Sequence, residues 1–222
     1  PAMSVVLERA PATLTLACAA LLISVVLGIP AGIVAAVKRN SVSDAVIRVL
    51  ALLGQCMPAF WLGIMLIMLF AVKLGWMPTG GAEDGLRSLI LPAFTLGVFS
   101  AATICRLLRS NLIEVLGKEY IDVAKAKGLP KSKIIGKHAL KNAMSSIITI
   151  LGMQFASLLG GSVITEQVFA WPGVGRLVIQ SITTSDFAVV ECIVFLMAVI
   201  FVVINFIVDV LYCVINPRVR LQ

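Results

Sequence analysis

Residues 116–144 have the sequence LGKEYIDVAKAKGLPKSKIIGKHALKNAM, a polar and basic stretch between long apolar segments. Within it, Tyr120, Val123 and Ala124 recur at helical spacing, while Lys118, Lys125 and Lys127 supply charge. This spacing predicts a short amphipathic helix. Because the flanking segments are strongly apolar, we expect this helix to lie at the surface of a membrane.

The end of this predicted helix carries a strong termination signal. Gly128 lies where a helix C-terminus favours a left-handed residue, and Pro130 prevents the helix from continuing. Ser132 is a candidate N-cap for a second helix that runs back into the next apolar segment. The stretch therefore predicts a short helix, a break and a re-entry helix on one membrane surface.

Composition sets the class of protein. Of the 222 residues, 60% are hydrophobic and only 13% are charged, whereas soluble domains carry about 25% charged residues. We therefore predict an all-α, polytopic integral membrane protein. The net charge of +7 does not indicate nucleic-acid binding, because the positive charges are confined to the connections between apolar runs.

Five segments are longer than the roughly 20 apolar residues needed to cross a bilayer. The chain is thus expected to form a single transmembrane domain over residues 1–222, with a cytoplasmic loop over residues 109–142. The predicted spans are residues 11–37, 45–72, 88–108, 143–165 and 188–215.

The basic residues predict the orientation of these spans. All but four of the 18 lysine and arginine residues fall on the side that carries the basic stretch, and that side is expected to be cytoplasmic. An odd number of spans then places Pro1 outside and Gln222 inside. Because the chain also begins without Met, we expect at least one further helix upstream.

Small residues and amides mark two features inside the spans. Gly28 and Gly32 predict a close approach to a neighbouring helix. The small residues Gly152, Ala156 and Gly160 predict the tightest helix–helix seam of the molecule. The amides Gln55 and Gln154 are candidates for the lining of a solute path, and interhelical hydrogen bonding is the alternative.

The connection that follows the fourth span is rich in aromatic and turn residues. Phe169 and Trp171 are expected at the level of the lipid headgroups, and Pro172-Gly173 is expected to turn the chain sharply. Two interpretations remain open: an interfacial aromatic anchor, or an extracytoplasmic gate or receptor-facing hairpin.

The sequence offers no catalytic or metal centre. His138 is the only histidine, and the five cysteines lie within predicted spans without metal-type spacing. No Gly-x4-Gly-Lys-Ser/Thr phosphate loop is present. We therefore expect no cofactor and no ATP hydrolysis by this chain.

The basic stretch resembles the cytoplasmic coupling loop of ABC importer permeases, whose signature is Glu-Ala-Ala-x3-Gly-x9-Ile-x-Leu-Pro. Its counterpart here is Asp122-Val123-Ala124-x3-Gly128-x9-His138-Ala-Leu-Lys. Asp replaces Glu, Val replaces the first Ala, and His and Lys replace Ile and Pro. The surrounding sequences, Ala-Lys-Ala-Lys-Gly-Leu and Lys-His-Ala-Leu-Lys-Asn-Ala, are similar to those of the dipeptide/oligopeptide/nickel permease branch.

Three further stretches carry the same resemblance, so that it covers nearly the whole chain. They are Arg9-Ala-Pro-Ala-Thr-Leu-Thr-Leu, Glu166-x2-Phe169-x-Trp171-Pro172-Gly173-x-Gly175, and Tyr212-x3-Asn216-Pro217-Arg218.

The resemblance implies a transmembrane subunit of an ATP-driven importer for peptides, nickel or a metal chelate in the bacterial inner membrane. It also implies six spans in the full-length protein. It implies four kinds of partner: a homologous second permease, two cytoplasmic ATPase subunits, an extracytoplasmic substrate-binding protein and membrane lipid. The residues that it assigns to ATPase coupling are Tyr120, Asp122, Val123, Ala124, Gly128 and His138.

Two other hypotheses remain. A secondary transporter or channel working alone would need ion-coupling or filter residues, and the spans lack acidic residues at mid-depth. A membrane scaffold would use the basic loop to bind lipid or a cytosolic partner without moving a solute.

Overall fold

The computed structural model describes residues 2–215, with the side chains of all but residues 145, 146, 161, 209 and 211–215. The chain is all-α, as predicted. Two helices continue into wider π-helical turns: α3 through Ile67–Lys73, and α6 through Ile134–Ala139, which leads into α7. The α-helices are α1 Ala2–Val37, α2 Val42–Cys56, α3 Ala59–Leu66, α4 Leu86–Leu116, α5 Glu119–Ala126, α6 Lys131–Lys133, α7 Leu140–Val168, α8 Val174–Thr183 and α9 Phe187–Ile215.

The helices satisfy the length and composition required of membrane spans. Within residues 2–215, three helices are long and apolar enough to cross a membrane: α1, α4 and α9 up to Val208. Two bent pairs raise the number to five if each pair counts as one span. The structure is therefore that of a polytopic membrane protein.

The centre of the bundle is the long contact between α1 and α4. A Cβ atom added to Gly28 would lie 2.7 Å from the Ala101 carbonyl oxygen, and one added to Gly32 would lie 2.9 Å from the Cys105 carbonyl oxygen. In the same way, a Cβ atom added to Gly97 of α4 would lie 2.8 Å from the Ala20 carbonyl oxygen of α1. The predicted close approach at Gly28 and Gly32 is thus confirmed, because only glycine lets these backbones come so close.

The prediction that Gly152, Ala156 and Gly160 form one tight seam is confirmed at Gly152 and wrong at Gly160. Gly152 does pack against Val208 of α9, but a Cβ atom added to Gly160 would have no neighbour within 4 Å. From Ala156 to Gly160 the small residues border a groove of about 590 Å³ between α7, α8 and α9. The helices diverge along this line, so the small-residue repeat does not bring two backbones together.

The predicted span 45–72 is not one continuous helix. Helix α2 ends at Cys56, and the segment Ala59–Lys73 leaves it at an angle of 103°. Pro58 explains the break: it has no backbone N–H to donate, and it holds the preceding Met57 in extended backbone (φ −75°, ψ 127°).

The buried side chains form clusters at different heights of the bundle. One cluster joins α4, α5, α6 and α7 at the end where α1 finishes, and includes Leu112, Ile121 and Ile147. Another joins the beginning of α1 to α8 and α9 through Val6 and Val174. The basic stretch and the Glu166–Gly175 hairpin therefore lie at opposite ends of the molecule.

Candidate functional site

Helix α5 has one buried and one exposed face. Ile121 is fully buried and Ala124 is 7% exposed, whereas Tyr120 is 41% and Val123 is 54% exposed. Ile121 and Ala124 share one face of the helix, and Tyr120 and Val123 share another, because residues three apart lie on the same side of a helix. The inward pair fixes α5 to the bundle, and the outward pair gives it a partly exposed apolar surface.

The turn after α5 has the predicted geometry. Gly128 has a φ of +73°, the left-handed conformation that favours glycine. The backbone N–H groups of Gly128 and Leu129 donate to the carbonyl oxygens of Lys125 and Ala124, at 2.9 and 3.3 Å. These bonds satisfy carbonyl groups at the helix end, so the sharp break confirms the sequence prediction.

The predicted role of Ser132 as an N-cap is wrong. The following helix begins at Lys131, with Pro130 at the N-cap position and no side-chain capping bond. Pro130 suits this position because its fixed φ matches the approach to a helix and its missing N–H needs no partner.

A hydrogen bond links α5 to the helix that re-enters the bundle. The Asn142 Nδ2 group donates to the Tyr120 hydroxyl at 2.8 Å and to the His138 carbonyl oxygen at 3.1 Å. His138 itself is half-buried. The residues assigned to the coupling motif are therefore brought together on both sides of the Gly128 turn, and Asp122 is paired with Lys125 at 2.7 Å on the exposed side.

The hairpin at the opposite end is built around the carboxyl group of Glu166, which is fully buried. Its Oε1 atom accepts hydrogen bonds from the hydroxyls of Thr13 (2.8 Å) and Ser162 (3.0 Å). Its Oε2 atom accepts from the backbone N–H of Arg176 at 3.0 Å. Glu166 thereby caps the first turn of α8, where a helix has unpaired N–H groups.

The glycines of this hairpin are required by close packing. A Cβ atom added to Gly175 would lie 2.6 Å from the Cα atom of Val163, and one added to Gly173 would overlap the Glu166 carboxyl group. The Thr13 hydroxyl completes the arrangement by accepting the N–H of Val174 at 2.8 Å. The motif Glu166-x2-Phe-x-Trp-Pro-Gly-x-Gly175 is thus a rigid unit fixed to α1 and α7.

The expectation that Phe169 and Trp171 lie at the lipid headgroups is wrong. Both side chains are buried, at 1% and 6% exposure. The indole Nε1 group of Trp171 donates to the Ala12 carbonyl oxygen at 2.9 Å, and the Phe169 ring packs against Gly63. The chain turns inward because Ala170 adopts a φ of +49°, and Arg176 Nη1 donates to its carbonyl oxygen at 2.7 Å.

The two predicted lining amides have different surroundings. Gln55 lies at the end of α2, and its Nε2 group donates to the Thr103 hydroxyl of α4 at 2.9 Å. Gln154 is half-buried on α7. Both are partly accessible, and they lie on different helices without meeting.

A buried ion pair escaped the sequence analysis. Asp44 in the first turn of α2 is fully buried, and both its carboxylate oxygens are 2.7 Å from the guanidinium group of Arg109 on α4. The signal was present as Ser41-x-x-Asp44, a pattern typical of helix N-termini. The Ser41 hydroxyl does accept the N–H of Asp44 at 3.3 Å.

A helical bundle with a short amphipathic helix at one end and a locked hairpin at the other defines a multi-pass membrane protein. The chain belongs to the family of binding-protein-dependent transport system inner membrane components, which it matches over residues 28–221. The third resembling stretch, Tyr212 to Arg218, lies outside the residues whose side chains the structure describes.

Two relatives match almost the entire chain. The di/tripeptide transport system permease protein DppB of Pseudomonas aeruginosa is 40% identical, over 96% of this chain and 71% of the relative. The glutathione transport system permease protein GsiC of Escherichia coli K12 is 42% identical, over 99% of this chain and 72% of the relative.

Solved structures share the fold at lower identity. An inward-facing form of the MetNI methionine ABC transporter has a chain with a TM-score of 0.82 and 20% identity, covering 96% of this chain and 97% of that one. An amino acid ABC transporter gives a TM-score of 0.71 at 17% identity, covering 97% and 94%. The fold is therefore that of ABC transporter permeases.

Proposed function

We propose that this chain is the permease subunit of an ATP-driven importer that carries short peptides, of the size of dipeptides, tripeptides or glutathione, across a bacterial inner membrane. The support for the cargo is the identity to the di/tripeptide and glutathione permeases over nearly the whole chain. The sequence resemblance also implied nickel or a metal chelate as cargo. The two relatives described above are named for di/tripeptide and glutathione transport, so nickel or a metal chelate stays a hypothesis.

One observation carries the proposed mechanism: α5 is fixed by its buried face and open on the other. Tyr120 and Val123 present an apolar patch beside the charged residues Asp122 and Lys125. An exposed apolar patch of this kind is more stable when it is buried in a groove of a protein partner than when it is in contact with water. The partner that we propose is one of two ATPase subunits, with a second permease completing the membrane part.

The buried face of α5 provides the route for movement. Ile121 packs into the cluster that also contains Leu112 of α4 and Ile147 of α7. Closely packed side chains resist compression, so a displacement of α5 is passed to both helices. In this mechanism the chain itself performs no hydrolysis: it converts the motion of the ATPase subunits into rearrangement of its spans.

The opposite end of the molecule faces the binding protein in this arrangement. The basic loop at residues 109–142 lies in the cytoplasm with the C-terminus, as the distribution of lysine and arginine predicts. The hairpin around Glu166 is then extracytoplasmic, and its internal hydrogen bonds make it a firm platform for a protein that delivers substrate.

The proposal is tested by recovering the tagged chain from native membranes in mild detergent and identifying its partners by mass spectrometry. We expect a second permease and two ATPase subunits with Walker motifs. The variant Val123→Asp should lose the ATPase subunits and keep the second permease, because a charge replaces the exposed apolar contact. Leu86→Asp is the matched control, since Leu86 is also exposed but begins α4 at the other end.

Recovery of the chain alone would contradict the proposal and favour a transporter or channel that works without ATPase subunits. Retention of both ATPase subunits by Val123→Asp would show that they bind elsewhere than at α5.

A further inference from the structure

A polar stripe follows the exposed flank between α2 and α4. Thr103, Arg106 and Ser110 of α4 are three and four residues apart, so they share one face of the helix, and all three are at least partly exposed. Arg48 and Gln55 of α2 are two turns apart and border the same flank. This stripe lies at the half of the bundle that ends in the basic loop.

Three arginines converge in this flank. Arg48, Arg106 and Arg109 border a cavity of about 130 Å³ together with Gln55. We call these four residues, with Thr103, the basic cleft. A cavity of this volume accommodates a carboxylate-sized group and leaves the rest of a larger solute outside.

Two of the three arginines pair with one acidic group. Asp44 is fully buried, and its two carboxylate oxygens accept from Nε and Nη2 of Arg109 at 2.7 Å, while the Nε atom of Arg48 lies 3.4 Å from its Oδ1 atom. Arg106 borders the same cavity, so three guanidinium groups and one carboxylate leave the cleft with an excess of positive charge. The buried pair fixes the geometry of the cleft before any ligand arrives.

The surroundings of the cleft indicate water and not lipid. Gln55 and Thr103 form a hydrogen bond at 2.9 Å on the side of the cleft that leads towards the break at Pro58. Charged and amide side chains within membrane spans nearly always face a water-filled cavity or the interior of the assembly, where they mark solute pathways. Arg48, which is 54% exposed, could not remain charged against acyl chains without a large energetic cost.

We propose that the basic cleft binds the carboxylate group of the transported solute on its way out of the translocation path. Every peptide with a free C-terminus carries such a group, and guanidinium groups pair with carboxylates through two parallel hydrogen bonds. Arg48 and Arg106 are the binding residues, while Asp44 and Arg109 are positioning residues. The inference that the solute is a peptide rests on the proposed function. The positive charge of the cleft and its contact with water are argued independently of that function.

The positive charge of the cleft and its contact with water are tested without a transport measurement. In the assembled complex with its native cysteines replaced, Thr103→Cys is exposed to an anionic and a cationic methanethiosulfonate of similar size. We expect the anionic reagent to react about tenfold faster, because positive potential concentrates anions in a cleft. Arg106→Gln should reduce this ratio several-fold. Arg87→Gln, which removes an exposed arginine from the first turn of α4, should leave it unchanged.

An unreactive Thr103→Cys, or a ratio that Arg106→Gln does not alter, would overturn the proposal. These results are independent of cargo, so they are distinguishable from a failure of the proposed peptide import.

The ligand is tested by protection of the same cysteine. The dipeptide Ala-Ala should slow the reaction with the anionic reagent, and its C-terminal amide should not. The double variant Arg48→Gln, Arg106→Gln should also lower the maximal rate of dipeptide uptake by about tenfold, the loss expected when a charge-assisted hydrogen bond is removed, while both ATPase subunits are still recovered.

Equal protection by Ala-Ala and its amide would exclude carboxylate recognition. Protection that follows the phosphatidylglycerol content of the vesicles and not the dipeptide would assign the cleft to a lipid phosphate and overturn the proposal.

Discussion

At the scale of single residues, the two ends of the molecule depend on positions that no other side chain can fill. At one end, Gly128 holds a left-handed conformation with φ +73° between α5 and the helix that follows. At the other, the carboxyl group of Glu166 satisfies three donors from three different segments. Both are local solutions with consequences for the orientation of a whole helix.

Gly128→Val should abolish ATP-dependent uptake while leaving the protein inserted in the membrane. A Cβ atom at this position meets nothing within 4 Å, so the effect is one of backbone strain, about 1–2 kcal/mol or more for a left-handed residue. Relief of that strain turns α5 away from its docked position. Uptake in vesicles and the amount of inserted protein are the measurements.

Gly117→Val is the matched control, because Gly117 precedes α5 with a φ of −90°, which any residue adopts. Normal uptake by Gly128→Val would contradict the proposed coupling role of the turn.

Glu166→Ala should destabilise the protein by about 3 kcal/mol, because it leaves the buried Thr13 hydroxyl and the N–H of Arg176 without their acceptor, while the Ser162 hydroxyl keeps the Leu159 carbonyl oxygen. Thermal unfolding in detergent measures the change. Glu191→Ala, which removes an exposed carboxyl group from α9, should leave the melting temperature nearly unchanged. Equal melting temperatures for the two variants would refute the structural role of Glu166.

At the scale of helices, glycine has opposite consequences on two faces that look alike in the sequence. Gly28 and Gly32 on α1 allow close contact with α4, while Gly160 on α7 borders an open groove. A break at Pro58 also divides one predicted span into α2 and the segment that begins with α3. Neighbouring helices decide whether the two glycine faces close, whereas the break follows from the local backbone restriction at Pro58.

Gly28→Ala should lower the free energy of unfolding by about 2 kcal/mol, the cost of forcing a methyl group into a packed interior. The new Cβ atom would lie 2.7 Å from the Ala101 carbonyl oxygen, which cannot move without displacing α4. Gly160→Ala should be close to neutral in the isolated chain, since its Cβ atom has no neighbour within 4 Å. Reversible unfolding in mixed micelles compares the two. An equal loss for both variants would be inconsistent with the described packing.

At the scale of the whole molecule, the arrangement is polarised. Helix α5, the buried Asp44–Arg109 pair and the end of α1 lie together at one end, and the Glu166 hairpin lies at the other. This separation suits a subunit that receives substrate on one side of a membrane and mechanical force on the other.

Cysteine labelling in spheroplasts tests this orientation. In a background without native cysteines, Glu83→Cys should react with a membrane-impermeant thiol reagent, and Lys127→Cys should react only after the membrane is permeabilised. The reason is that the distribution of lysine and arginine predicts a cytoplasmic basic loop, and with it an extracytoplasmic position for the short loop before α4. Labelling of Lys127→Cys in intact spheroplasts would invert the topology and with it the assignment of both ends.

The sequence by itself determined the class of protein, the helical character of the chain and the break at Gly128. These follow from apolar length, from helical spacing and from the preference of glycine for positive φ, all of which are properties of neighbouring residues.

Only the tertiary structure decided which side chains meet. Phe169 and Trp171 are buried because the chain turns inward at Ala170 and the indole finds the Ala12 carbonyl oxygen, 159 residues away. Asp44 of α2 and Arg109 of α4 form an ion pair although they are 65 residues apart in the sequence. Whether a small-residue face closes, as on α1, or stays open, as on α7, depends on the angle between neighbouring helices. Contacts between distant segments are fixed by the packing of the entire bundle, and local sequence patterns do not contain that information.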